Sequence, residues 1–123
     1  MTKALQIPLE SSIQQLQQRL TSGAITSQAL AQHYLERIEQ LDAGKLGSVR
    51  QVNPDALEVA RGLDAERKNG AARGPLHGIP VLVKDNIATA DQLETTAGSL
   101  TLRGCIARDD AFVVTKQIGR AHV

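Results

Sequence analysis

The chain has 123 residues, of which 41% are apolar and 22% charged, with a formal net charge of +1 at pH 7. This length and composition suit one domain with a core, and they exclude a disordered segment. Both signs of charge are interspersed, which gives no electrostatic footprint for nucleic acid or an anionic membrane, and no apolar run approaches the roughly 18 residues of a spanning helix.

Met1 to Glu10 has one lysine and no continuous apolar stretch, so a secretory leader is not expected. Leu9, Ile13, Leu16 and Leu20 recur at helical spacing, with Ser11 or Ser12 as cap and Gly23 past the end. A second helix is predicted from Thr26 or Ser27, with Leu30, Tyr34, Ile38 and Leu41 along one stripe, until Gly44 and Gly47 break the pattern. Val49 to Val52 fits a short strand. Asn53-Pro54-Asp55 predicts a third helix start, with Asn53 as cap, and Ala56, Leu57, Ala60 and Leu63 inward as far as Asn69-Gly70.

From Ala71 the texture changes. Gly74, Pro75, Gly78 and Pro80 mark an irregular loop that feeds an unbroken apolar run, Ile79 to Val83. A run without polar alternation predicts a strand covered on both faces, as in a parallel sheet with helices on either side. Thr95 to Ser99 is a second small-residue loop, and Asp109-Asp110 predicts the opening of a last helix through Ala111, Val113 and Val114. Tyr34 and Phe112 are the aromatic residues and Trp is absent, so the core is one of Leu, Val, Ile and Ala, without stacking platforms for bases or sugars. Cys105 is the single cysteine, which excludes an internal disulfide and fits a reducing, cytoplasmic setting.

The apolar run ends in Lys84. An ordinary lysine has a pKa near 10.4, so roughly one in 2,500 is neutral at pH 7. Desolvation disfavours the ammonium and can bring an amine into the range of a general base, which arginine cannot do. Ile79, Val81 and Val83 could supply such surroundings. The same position also suits a lysine that snorkels to water or guards a strand edge. A base needs a nucleophile, and Ser99 is the nearest downstream serine in a Gly-containing turn. It lacks the Gly-x-Ser-x-Gly frame, and a hydroxyl bonded to loop backbone is the simpler reading. Asp85 and Asn86 could orient Lys84, hold loop backbone or shape a turn.

His77 lies between loop glycines, where a hydrogen-bonded structural role is favoured over a ligand. His33 sits on a charged helix face. His77, Cys105 and Asp109/Asp110 lack metal-ligand spacing, so no metal site is expected. Cys105 reads as a buried, inert thiol. Gly74-x-x-x-Gly78 is neither a Walker loop nor a dinucleotide fingerprint.

At Gly74-Pro75-Leu76-His77-Gly78-Ile79-Pro80-Val81-Leu82-Val83-Lys84-Asp85-Asn86-Ile87 the chain closely resembles the amidase signature family. The likeness extends to Thr95-Thr96-Ala97-Gly98-Ser99, to Asn53-Pro54-Asp55-Ala56-Leu57 and to Leu63-Asp64-Ala65-Glu66-Arg67, and covers roughly Leu9 to Lys116. The resemblance implies an α/β fold, a mixed sheet flanked by helices, of which this chain carries the N-terminal part. It implies amide hydrolysis through a Ser–cis-Ser–Lys triad, with Lys84 as the lysine, a bridging serine, a nucleophilic serine and a backbone oxyanion hole. It implies a small amide or peptide-amide substrate and no metal or organic cofactor. The helical portion is most similar to bacterial amidases of the peptide amidase type. The family's two serines lie in a Gly/Ser-rich stretch well downstream of the lysine, and Lys84 alone carries over here. The chain by itself is therefore expected to be inactive. Two alternatives stand beside this: the amidase-type subunit of a glutamyl-tRNA amidotransferase, and a non-catalytic interaction protein.

The organisation expected is 1–117 as the front of one amidase domain and 118–123 as a non-native tail. Ile118-Gly119-Arg120-Ala121-His122-Val123 is what ATC-GGA-AGA-GCA-CAC-GTC encodes, and that frame resembles a common sequencing-adapter sequence.

Overall fold

The computed structural model describes residues 7–8 and 10–117; Leu9 and the tail 118–123 lie outside the described residues. Helix α1 spans Ile13–Thr21. Ser12 caps it: the Ser12 hydroxyl accepts the Gln15 N–H at 3.2 Å and the Gln15 side chain accepts the Ser12 N–H at 2.8 Å, a reciprocal capping box. Helix α2 spans Ser27–Arg37, with the Thr26 hydroxyl accepting the Ala29 N–H at 3.0 Å. A π-helical turn, Ile38–Asp42, prolongs it and ends when the Ala43 N–H reaches back to the Ile38 carbonyl. Helix α3 spans Ala56–Lys68 and stops at Asn69, ahead of Gly70 in the left-handed region. A single 3₁₀ turn, Leu100–Leu102, and the short helix α4, Phe112–Gln117, complete the elements.

Two apolar clusters join these elements. Leu16 and Leu20 of α1 meet Leu30 of α2, together with Ile7, Ile25 and Ile79, and half-buried Tyr34 and Leu76 pack against them. Ala31 of α2 meets Ala60 and Leu63 of α3, with Leu57 at the margin. Small residues at 31 and 60 let α2 and α3 approach closely. Asp64 of α3 adds a polar lock: its carboxylate accepts the Ser27 N–H at 2.7 Å and the Gln28 N–H at 3.0 Å, at the positive end of α2.

Several expectations from sequence are corrected. Asn53 does not cap α3 directly. Its side chain accepts the Asp55 N–H at 2.9 Å, forming a turn that leads into a helix starting at Ala56. Leu41, expected on the buried stripe, is exposed because the wide turn rotates it outward. The acid pair does not begin the last helix, because the Asp110 carboxylate accepts the Ala90 N–H at 2.6 Å instead. The described residues do not complete the expected sheet. Residues 49–52 and 79–83 form no ladder among the described residues; Val81 is a single bridge position, and the isolated antiparallel contact between Glu94 and Ile106 is another. Ile79 is buried, but Leu82 is 61% exposed, so the run is not covered on both faces. A strand is completed by its neighbours, and this run carries a single bridge position, Val81, in place of a ladder. No helix among the described residues is long and apolar enough to cross a membrane.

Candidate active site

The Gly74–Gly78 loop is held from beneath by α1 and α3. The Gln17 amide donates to the carbonyls of Pro75 at 2.8 Å and His77 at 3.0 Å. The Arg67 guanidinium donates to the same His77 carbonyl at 2.7 Å and to the Gln17 side chain at 2.9 Å. Arg73 pairs with Glu66 through both ends of its guanidinium fork, one contact measuring 2.8 Å, and this holds the Glu66 carboxyl below the usual carboxylate range. The His77 ring, 1% exposed, spans the interior. Its Nδ1 accepts the Arg73 N–H at 3.3 Å and its Nε2 lies 2.9 Å from the Leu63 carbonyl. An acceptor at Nδ1 and a donor at Nε2 describe a neutral imidazole with the proton on Nε2. His77 is thus the hydrogen-bonded loop histidine that the sequence favoured, and it holds the loop.

Beyond this clamp the chain runs extended to Lys84 and then turns, with the Ile87 N–H bonded to the Lys84 carbonyl at 2.9 Å. Asp85 fastens the turn to the second small-residue loop. Its carboxylate accepts the Thr96 N–H at 3.1 Å and the Thr96 hydroxyl, and its backbone carbonyl accepts the Ala97 N–H at 3.0 Å. Arg50 closes the assembly, donating from Nη1 to Asp85 at 3.2 Å and to the Thr96 hydroxyl at 2.9 Å, and from Nη2 to Glu94 at 2.8 Å. The Thr96 hydroxyl and N–H, with Arg50 behind them, hold the Asp85 carboxyl below its ordinary value. Of the roles open to Asp85 in the sequence, holding loop backbone is the one observed.

Lys84 lines a cavity of about 270 Å³ together with Arg50, Gln51, Asp85, Thr89 and Glu94, among others. Its side chain is exposed, so the shelter expected from Ile79, Val81 and Val83 is not provided by the described residues. Ser99 lines a second cavity with Gly98, Arg103 and Arg50, which also lines the first. The Ser99 N–H bonds to the Thr96 carbonyl at 2.8 Å, a turn contact. Cys105 is an exposed free thiol and not the buried one expected, because the loop before α4 carries it outward. No group of three or more His, Cys, Asp or Glu among the described residues could hold a metal ion. Arg50 and Glu94 were not foreseen as site residues. Arg50 lies within the segment expected to be a strand, 49–52, and no spacing rule ties positions 50, 85, 94 and 96 together.

A family model described as Amidase matches residues 29–119, which include Arg50, Lys84, Asp85, Glu94 and Thr96. This chain belongs to the amidase signature family. Among solved structures, it is similar to the peptide amidase from Stenotrophomonas maltophilia, with a TM-score of 0.87, 45% identity, and coverage of 94% of this chain and 24% of that one. Among curated relatives of this amidase family, a Schizosaccharomyces pombe protein named as an amidase is 48% identical over 122 residues, 98% of this chain and 21% of its own length. A glutamyl-tRNA(Gln) amidotransferase subunit of Thioalkalivibrio sulfidiphilus is 41% identical over 107 residues, 87% of this chain and 22% of its own. The chain therefore spans between a fifth and a quarter of the length of these relatives.

Proposed function

We propose that this chain is the lysine-bearing front of a hydrolase that cleaves the C–N bond of a linear amide, with Lys84 as the base that starts proton transfer. The 45% identity to a peptide amidase across 94% of the chain carries this reading, and a peptide amide is the substrate class it favours. The proposed sequence of steps follows from the family resemblance. Neutral Lys84 takes a proton from a bridging serine, which takes one from the nucleophilic serine. The nucleophile adds to the amide carbonyl. The nitrogen leaves protonated, as ammonia, and water then releases the acid and restores the serine. Both serines belong to sequence outside this chain. The free amine requires surroundings drier than the described residues give Lys84, and these would be completed by the rest of the enzyme. A reducing, cytoplasmic setting belongs to the same reading and is supported by the lone Cys105.

The test begins with long-read sequencing of the locus and expression of the complete gene product. Ammonia release from a C-terminal peptide amide is expected, with Lys84→Met lowering kcat by at least about a thousandfold. Full activity of that variant would overturn the reading. A second reading, the amidase-type subunit of a glutamyl-tRNA amidotransferase, is supported by the 41% identity to a subunit of such an enzyme. Activity that needs companion subunits and a charged tRNA would select it.

A further inference from the structure

Among the described residues, the charged groups lining the Lys84 cavity are Arg50, Lys84, Asp85 and Glu94. Arg50 bonds both acids, so within this set Lys84 is the cation without an ion pair. A lysine facing a free carboxylate is held as ammonium, the wrong protonation state for a base. Two acids line the cavity with the proposed base, and Arg50 pairs with both.

The same residues fix the backbone. Asp85 follows Lys84 directly, so bonds that hold Asp85 also hold the Lys84 peptide. The Thr96 hydroxyl donates to the Asp85 carboxylate and accepts from Arg50 at 2.9 Å and from the Gly98 N–H at 3.2 Å. A hydroxyl has one donor and two acceptor positions, and here all of them are used. Thr96 is 1% exposed, so no water competes for them. Ala97 stands at φ +50°, a left-handed conformation that costs a non-glycine residue about 1 kcal/mol or more, and its N–H bond to the Asp85 carbonyl holds it there.

We infer that Arg50, Asp85 and Thr96 act as one positioning clamp for Lys84, which fixes the backbone from which the amine reaches the reaction and keeps the Asp85 and Glu94 carboxylates from capturing it. This rests on the reading of Lys84 as the base. Arg50 and Thr96 act through Lys84 and are positioning residues. A guanidinium suits the task because its planar fork reaches two carboxylates and a hydroxyl at once without giving up its proton.

The experiment uses the full-length enzyme. Arg50→Met is expected to lower kcat about tenfold or more at neutral pH with KM little changed. Its deficit should shrink as pH rises, because a captured ammonium is released as free amine only under more alkaline conditions. Adding Glu94→Gln to Arg50→Met should recover part of the neutral-pH rate by removing one captor. Thr96→Val should lower kcat by a similar factor at every pH, and Thr96→Ser, which keeps the hydroxyl, should restore it. If Arg50→Met does not fold, Arg50→Lys and the Thr96 pair test the same clamp. Folded Arg50→Met and Thr96→Val enzymes with wild-type kcat and pH profile would overturn the clamp. Lys84→Met serves as the separate control: if it stays active, the base assignment itself has failed, whatever the clamp variants do.

Discussion

Gly78 approaches Ser27 so closely that a Cβ built on the glycine would lie 2.1 Å from the Ser27 hydroxyl oxygen and 3.1 Å from the Ser27 Cβ. Gly78 also sits at φ +77°, where a side chain is strained in any surroundings. Gly78→Ala is therefore expected to cost roughly 2–4 kcal/mol, combining the left-handed penalty with overpacking. Urea denaturation of the full-length protein measures it.

Ser27 is fully buried and its hydroxyl has no hydrogen-bond partner among the described residues. An unsatisfied buried hydroxyl contributes nothing and costs its desolvation. Ser27→Ala should be neutral or stabilise by up to about 1 kcal/mol. It should also recover part of the Gly78→Ala loss, since it removes the 2.1 Å clash but not the strained φ. A double-mutant cycle reads the coupling, and strict additivity would contradict the contact.

Asp64 caps α2 from a neighbouring helix. Asp64→Ala leaves the Ser27 and Gln28 N–H groups without their partner and should cost about 1–2 kcal/mol. Asp64→Asn, which keeps one acceptor oxygen, should cost less. Amide exchange at Ser27 and Gln28 would locate the loss in the first turn of α2.

The Asp85 carboxyl is held below its ordinary value, chiefly by the Thr96 hydroxyl, and the Asp42 carboxyl likewise by the Ser48 hydroxyl and the Val49 N–H. A carboxyl lowered by folding stabilises the folded state above its unfolded pKa, and that contribution disappears as pH falls through the folded value. Stability is thus expected to decline from about pH 4 downward. Asp85→Asn should flatten that decline in urea midpoints taken across the acid range. An unchanged slope would contradict the assignment.

Leu82, Leu100 and Phe112 are 61%, 81% and 77% exposed. Apolar surface of this kind, beside an extended run that forms no ladder among the described residues, favours association. The isolated 123-residue chain is expected to self-associate with rising concentration in sedimentation velocity and to show no amide hydrolysis. Turnover abolished by Lys84→Met in that chain would contradict the second expectation.

Local chemistry was legible in the sequence. Ser12 was one of two candidate caps of α1, the start of α2 was placed at Thr26 or Ser27, and Gly70 marked the end of α3, where it takes the left-handed φ that glycine permits. Such caps join residues within one turn, so spacing alone points to them. The 74–87 motif likewise pointed to the family. The tertiary structure decided what joins distant positions: Arg50 to Glu94 and Asp85, Asp64 to the start of α2, and Ser27 against Gly78. It also left the apolar run with a single bridge position among the described residues, because such a run carries the tendency to extend but cannot supply the neighbouring strand that makes extension a ladder.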